Sequence, residues 1–287
     1  MSHLAVWPAL YVVSSIPCLM QVAGIRPLPG LLAPVLGIAF LTGIATYLLD
    51  RAKLGGRWLD PADDAAHAAR HAFITRHAGA IRLFIAASLC LATILAWRLP
   101  IASHWPAALP AASSLGVLVY ASRPRSARPR PKDLLALKNL YVACGITGFA
   151  LLLVAASMGL DAQDGVPILT GKSVVFAAIA LLVRVWADAA LCDLDDHEAD
   201  RRFRTSTLAT SFGHRSAWNI AFGVRLALAA ALAVIPLGPA PARLSWAAAT
   251  ALSSISLRIA SPAQVRDWVD VRFPLELLGV CIVLAMA

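Results

Sequence analysis

The chain has 287 residues, of which 59% are hydrophobic and only 14% are charged. A typical soluble domain carries about 25% charged residues, so this composition excludes an ordinary soluble globular protein and a disordered one, and it indicates a polytopic membrane protein. The net charge of +9 does not indicate nucleic-acid binding, because the basic residues lie in short loops between apolar segments.

Nine apolar segments are candidates for membrane-spanning helices, since a span needs about 20 mostly apolar residues. They are 4–24, 31–49, 80–98, 106–121, 140–160, 173–192, 217–238, 244–260 and 273–287. The first has neither a basic N-terminal region nor a small-residue cleavage site, which favours a retained helix over a signal peptide. We therefore expect residues 1–287 to form a single all-α integral membrane bundle.

Lysine and arginine are unequally distributed between alternate loops. The loops after segments two, four, six and eight hold 19 of the 25 basic residues, the opposite loops hold four, and Arg184 and Arg225 lie inside segments. Because cytoplasmic loops are enriched in basic residues, this distribution predicts that the N-terminus and the four basic loops face the cytoplasm, across a plasma (inner) membrane.

The five cysteines are widely spaced, and all lie in or beside apolar segments. No CxxC pair is present. This pattern predicts small buried side chains, and neither a thiolate zinc site nor a disulfide framework.

A cluster of acidic residues follows segment six. Asp193, Asp196 and Asp200 are spaced i, i+3 and i+7, so a helix that continued out of the membrane would present the three carboxylates on one face. Carboxylate oxygens suit Mg²⁺, which usually takes one or two carboxylates together with waters and substrate phosphates. The same pattern is also typical of a solvated acidic helix end, next to the basic run Arg201–Arg204, and the spacing leaves both interpretations open.

The sequence Asp193-x-x-Asp196-x-x-x-Asp200, followed by Thr207-Leu208 and Gly213, resembles the second aspartate-rich motif of the UbiA superfamily of intramembrane prenyltransferases. The family motif is roughly D-x-x-D-x-x-G-D, then T-L-P and a glycine. Ala199 and Ala209 stand here at the positions of its glycine and proline. The resemblance implies a nine-span helical bundle in which the three aspartates hold Mg²⁺ bridged to a prenyl diphosphate.

The first family motif, roughly N-x-x-x-D-x-x-x-D at the end of span two, is only partly present. Asp50 matches its central aspartate, whereas Thr46 and Leu54 stand at the other two positions. The resemblance therefore implies that Asp50 is a catalytic residue and metal ligand. Downstream, Asp60, Asp63 and Asp64 either substitute for the missing acid or form an ordinary turn and helix cap, and we favour the turn.

Basic and aromatic residues near the spans are the candidates for binding diphosphate. The resemblance implies this role for Tyr120, Arg123 and Lys138, whose positive groups would offset the charge of the leaving diphosphate. We also assign Arg201, beside the third carboxylate, to this set. The alternative interpretation is that such residues only mark a cytoplasmic loop.

Ionisable residues inside the apolar segments are costly to bury. Arg184 and Asp188 are four residues apart on one helix, so we expect a structural ion pair, with Asp195 on the same stripe. Arg225 has no local acid, and it either extends to the interface or points into the bundle. Glu276 begins segment nine and is interpreted as interfacial.

The sequence thus predicts a membrane prenyltransferase that uses Mg²⁺ and a prenyl diphosphate to alkylate an unidentified lipophilic acceptor. Two alternatives remain: a UbiA-type terpene cyclase, and a transport or non-catalytic membrane protein with a degenerate site. The discriminating observation is whether Asp50 and the segment 193–200 converge on one cavity.

Overall fold

A computed structural model describes residues 5–52, 67–121, 134–160, 170–260 and 265–286, and these are almost entirely helical and contain no strand. A short 3₁₀ turn, Trp105–Ala108, precedes the fifth helix. The helices are α1 (Val6–Ala23), α2 (Leu32–Ala52), α3 (Ala68–Arg76), α4 (Ala78–Trp97), α5 (Leu109–Ala121), α6 (Leu135–Ser157), α7 (Lys172–Cys192), α8 (His197–Arg202), α9 (Leu208–Phe212), α10 (His214–Val234), α11 (Ala240–Ala260) and α12 (Val265–Met286).

Eight of the nine predicted apolar segments overlap one long helix each, and the fourth overlaps the 3₁₀ turn and the shorter helix α5, which confirms the all-α membrane fold class. In the part of the chain that the structure describes, six helices are long and apolar enough to cross a membrane: α1, α2, α4, α6, α7 and α10. The apolar stretch Trp105–Tyr120 is shorter. The count of nine spans and the cytoplasmic N-terminus stay predictions.

Helix α1 lies at the centre of the bundle and packs against α2, α6, α7, α11 and α12. Its residues Ile16 and Leu19 are fully buried in the largest apolar core. The approach to α2 is close at Gly43, where an added Cβ would lie 3.3 Å from the Cα of Ala9. Around this centre, α6 packs on α7, α7 on α10, α10 on α11 and α11 on α12.

Two arginines and two acids form an ion-pair network inside the bundle. Arg184 on α7 lies 2.8 Å from Asp188 and 2.7 Å from Glu276 of α12. Arg225 of α10 pairs with Asp188 and reaches Glu276 at 3.5 Å, and Tyr11 of α1 donates a hydrogen bond to Asp188 at 2.6 Å. All five side chains are buried, so the charges compensate one another and connect four helices.

The network confirms the expected Arg184–Asp188 pair and shows that Arg225 points into the bundle. Two expectations are wrong. Glu276 is not interfacial, because it is buried and bonded to both arginines. Asp195 does not continue the stripe of Arg184, because α7 ends at Cys192.

Candidate functional site

The predicted site residues meet at one end of the bundle. Asp50, at the end of α2, and Asp193, Asp196 and Asp200, after α7, line one polar cavity of about 190 Å³. Lys138 at the start of α6 also lines it. The convergence that would favour a shared site is therefore present.

The segment that carries the three carboxylates is not one continuous helix, contrary to the expectation from the spacing. Helix α7 ends at Cys192, a turn follows, and α8 begins at His197. The amide of Asp193 still donates to the α7 carbonyl of Ala189 at 3.2 Å, and the amide of Asp200 donates to the carbonyl of Asp196 at 2.8 Å. These two bonds hold the turn so that its carboxylates face a common cavity.

Two further motif residues, Thr207 and Gly213, have local structural roles. The hydroxyl of Thr207 accepts from the amide of Thr210 at 3.2 Å, and the hydroxyl of Thr210 accepts from the amide of Thr207 at 2.8 Å. This reciprocal arrangement is a capping box at the start of α9. Gly213 has a positive φ of 83° between α9 and α10, a conformation that favours glycine.

Lys138 is the counter-ion of two of the carboxylates. Its Nζ atom lies 2.7 Å from Oδ1 of Asp193 and 3.2 Å from Oδ2 of Asp200. Burial, reinforced by Asp193 and Asp196, raises the pKa of Asp200 to about 6, against the opposing effect of Lys138. The lysine that we expected to contact diphosphate thus pairs with two acids of the cluster in this structure.

Asp196 has different partners, which the sequence analysis did not identify. Its carboxylate forms an ion pair with Arg266 at the start of α12, and its Oδ1 atom lies 2.9 Å from Nε2 of His67. Although burial acts to raise its pKa, Arg266 and His67 hold the pKa of Asp196 well below its usual range. The sequence did not single out Arg266 among the basic residues of the loops, because nothing local connects it to Asp196.

The Oδ2 atom of Asp193 is suited to a bound cation. Oδ2 of Asp193 is buried and has no hydrogen-bond partner among the described residues. Among the described residues, no group of three or more His, Cys, Asp or Glu side chains is arranged so that it could hold a metal ion. The carboxylate donors fit a hard cation such as Mg²⁺. In this structure, however, lysine and arginine side chains pair with these acids.

A second, apolar cavity adjoins the polar one and has a volume of about 530 Å³. Both cavities are lined by Tyr47, Asp50, Tyr120 and Val142, so they share a wall. The deeper lining is apolar and includes Leu109, Val117, Ile146, Phe149 and Leu152. Charged and apolar spaces therefore meet beside Asp50.

The wall between α5 and α6 is closed by two tyrosines. The rings of Tyr120 and Tyr141 stack with centroids 5.1 Å apart. The hydroxyl of Tyr141 donates to the carbonyl of Gly116 at 2.8 Å. Tyr120 is thereby held at the junction of the two cavities.

The remaining predicted residues do not all reach the site. Arg201 is exposed on α8 and is not part of the described lining of either cavity. Arg123 and the acids Asp60, Asp63 and Asp64 lie outside the described residues. The diphosphate-binding roles of Arg201 and Arg123 stay predictions.

The chain resembles two solved membrane proteins over nearly its whole length. An apo structure of a UbiA homolog from Aeropyrum pernix K1 matches with a TM-score of 0.64 and 14% identity, covering 99% of this chain and 98% of that one. A structure of a digeranylgeranylglyceryl phosphate synthase matches with a TM-score of 0.53 and 12% identity, covering 100% and 98%. No protein-family model and no curated protein matches the sequence. The comparisons confirm at the level of the fold the resemblance seen in the aspartate motif.

Proposed function

We propose that this protein is a UbiA-type intramembrane prenyltransferase, which uses a prenyl diphosphate and Mg²⁺ to alkylate a lipophilic acceptor. The observation that carries the proposal is the shared wall of the two cavities at Asp50 and Tyr120. A prenyl diphosphate has a charged head and an apolar tail, and the polar and apolar cavities offer a matching place for each. The UbiA-like fold supports the same assignment.

The residues of the polar cavity divide into two groups by charge. Asp50, Asp193, Asp196 and Asp200 would hold Mg²⁺, and Lys138 would stabilise the negative charge on the diphosphate as it leaves. When bound, Mg²⁺ would supply Lewis-acid polarisation of the phosphoryl oxygens.

The apolar cavity would hold the prenyl tail and keep water away from the allylic carbon. Tyr120, at the junction, presents an aromatic ring near the position where positive charge develops on that carbon, and a ring face stabilises a nearby cation. When the C–O bond to diphosphate breaks, the electron pair leaves with the diphosphate. The acceptor then forms the new bond to the allylic carbon and releases a proton.

The placement of the charges favours this function over transport. Transporters typically bind their substrates near the middle of the membrane, at broken helices. Here the internal charges of α7, α10 and α12 are paired with one another, and the cavity-lining acids lie at one end of the bundle. We place this end at the cytoplasmic face, in accord with the basic loops.

The function is tested with the purified full-length protein in detergent. Prenyl diphosphates of several chain lengths are added with Mg²⁺, and binding and diphosphate release are measured with and without a panel of lipophilic acceptors. We expect binding that disappears when EDTA removes the metal. Release that needs no acceptor would instead indicate the terpene cyclase, and the absence of any binding would contradict the proposal.

Asp50 is expected to be the essential acid of the first loop. Since it lines both cavities, replacing Asp50 with alanine removes an anionic ligand at the position where head and tail meet. We expect Asp50→Ala to weaken metal-dependent diphosphate binding by at least about 10-fold, the lower end of what the loss of a group that supports a metal site costs. Titration with prenyl diphosphate at saturating Mg²⁺ measures this loss of affinity.

The matched comparison for Asp50→Ala is the triple change of Asp60, Asp63 and Asp64 to asparagine. We expect this variant to keep most of the binding, because these acids fit a turn further from the membrane. The reverse result, with the triple variant inactive and Asp50→Ala normal, would show that the first-loop site lies further along the loop.

The size of the apolar cavity indicates how much of the prenyl chain it can enclose. A cavity of about 150 Å³ holds one benzene molecule. At the same volume per carbon atom, the apolar cavity of about 530 Å³ holds roughly 20 carbons. Gly145 lines this cavity, and a Cβ added there would meet no atom within 4 Å. We expect Gly145→Leu to fill part of the space and to weaken binding of longer prenyl diphosphates more than that of shorter ones.

Gly148 gives the control for this prediction. It lies one turn further along α6, a Cβ there would also meet nothing within 4 Å, and it is not part of the cavity lining. Gly148→Leu should therefore leave the chain-length profile unchanged. Competition binding with diphosphates of increasing length distinguishes the variants, and an identical profile for both would place the tail elsewhere.

A further inference from the structure

Arg266 occupies an unusual position in the polar cavity. It lines the cavity together with the carboxylates, and its guanidinium forms an ion pair with Asp196. Its Nη1 atom lies 3.1 Å from Nε2 of His67, and its Nη2 atom lies 3.4 Å from the carbonyl oxygen of Cys192. One of the three motif carboxylates is therefore engaged by a protein cation.

The backbone of Arg266 is fixed to the same turn that carries Asp196. The carboxylate of Asp195 accepts hydrogen bonds from the amide of Val265 at 3.0 Å and from the amide of Arg266 at 2.7 Å. Asp195 thus caps the first turn of α12, where a negative charge is favourable. The cap fixes the backbone of Arg266 next to Asp196, so a change of partner would need movement of the side chain alone.

The ion pairs of the cavity assign each motif carboxylate to a cation. Lys138 pairs with Asp193 and Asp200, and Arg266 pairs with Asp196. A metal ion that takes Asp196 as a ligand must displace Arg266 from it. A guanidinium displaced from Asp196 would remain beside the cavity, where Asp270 also lies, and an incoming phosphate offers its planar group the same two-pronged contact as a carboxylate.

We propose that Arg266 exchanges partners when substrate binds: it neutralises Asp196 in the substrate-free protein and binds the diphosphate in the loaded one. This inference rests on the proposed function and deepens it, because it makes metal and diphosphate binding mutually dependent. Metal alone must compete with Arg266 for Asp196, whereas diphosphate removes the competitor. Each ligand therefore raises the affinity for the other by the same factor, as linkage requires.

The change Arg266→Gln should raise the affinity for Mg²⁺ alone and lower the affinity for the diphosphate. Without the guanidinium, Asp196 is free of its competitor, so Mg²⁺ alone binds more tightly. The diphosphate loses a cationic contact, so it binds more weakly. A residue that only holds the fold together would weaken both affinities, which makes the opposite signs diagnostic.

The experiment measures Mg²⁺ binding to the full-length protein in detergent by calorimetry, with and without a saturating prenyl thiodiphosphate, which resists ionisation. In the wild type we expect the analogue to raise Mg²⁺ affinity by about 10-fold, within the usual range of coupling between sites. In Arg266→Gln this factor should fall clearly below the wild-type value, to the part that direct contact between metal and diphosphate supplies. Arg266→Lys keeps the charge but not the forked contact, and its factor should lie between the two.

Arg202→Gln is the matched control, because Arg202 is exposed on α8 and should keep the wild-type coupling factor. The exchange is overturned if Arg266→Gln keeps that factor, if it loses Mg²⁺ binding without the analogue, or if Arg266→Lys equals the wild type. A wild type that binds no analogue at all would instead refute the proposed function itself. The two failures are therefore distinguishable.

Discussion

Replacing Asp193 with asparagine is expected to abolish Mg²⁺-dependent binding and turnover of prenyl diphosphate. The buried Oδ2 atom of Asp193, which has no hydrogen-bond partner among the described residues, is the oxygen best placed to receive a cation. Asparagine keeps the shape but removes the negative charge that Mg²⁺ requires. We expect a loss of at least about 100-fold in turnover, the size seen when one electrostatic contact is removed from an active site.

The fold should survive this substitution, because Lys138 retains its contact with Asp200. A melting temperature within a few degrees of the wild type would separate lost chemistry from lost structure. Glu198→Gln is the matched control, since Glu198 is an exposed carboxylate on α8 in the same acidic segment and should behave as the wild type. Normal turnover by Asp193→Asn would mean that Asp193 holds no catalytic metal and that its pairing with Lys138 is structural.

The positions of the long helices were predictable from the sequence because they depend on local hydrophobicity. An apolar run of about 20 residues has few alternatives to a buried or membrane-spanning helix. The grouping of Asp193, Asp196 and Asp200 was also predictable, since all three lie within eight residues. The break between α7 and α8 was not, because the same spacing fits one continuous helix as well as two helices joined by a turn.

The partners of these acids depend on contacts between distant parts of the chain. His67 and Asp196 are 129 residues apart, and Arg266 and Asp196 are 70 residues apart. No local pattern in the sequence encodes such pairs, and cytoplasmic loops are rich in basic residues for reasons of topology alone. The roles of His67 and Arg266 therefore became visible only when the helices were packed.

Inside the bundle, too, the ion pair between neighbours in sequence was predictable and those between distant residues were not. The pair of Arg184 and Asp188 was predictable because four residues are one helical turn. Glu276 is 92 residues from Arg184, and Arg225 is 37 residues from Asp188, so their participation was not. A buried charge indicates that a partner exists, but it does not identify the partner.

Breaking the buried network is expected to have the largest effect on stability. Arg225→Met removes one positive charge and leaves Asp188 and Glu276 with only Arg184. Removing one partner of a buried ion pair costs about 3–5 kcal/mol, because the other charge stays buried without compensation. For a protein of this size such a loss lowers the melting temperature by roughly 10 °C, which thermal unfolding in detergent measures.

The double variant Asp188→Asn with Arg225→Met decides whether charge compensation causes this loss. It removes one charge of each sign and leaves the two-pronged pair of Arg184 and Glu276 intact. It should therefore be more stable than either single variant. Arg215→Met, an exposed change on the same helix as Arg225, should melt like the wild type. Losses that simply add in the double variant would show that packing, and not compensation, accounts for the effect, since independent sites give additive changes.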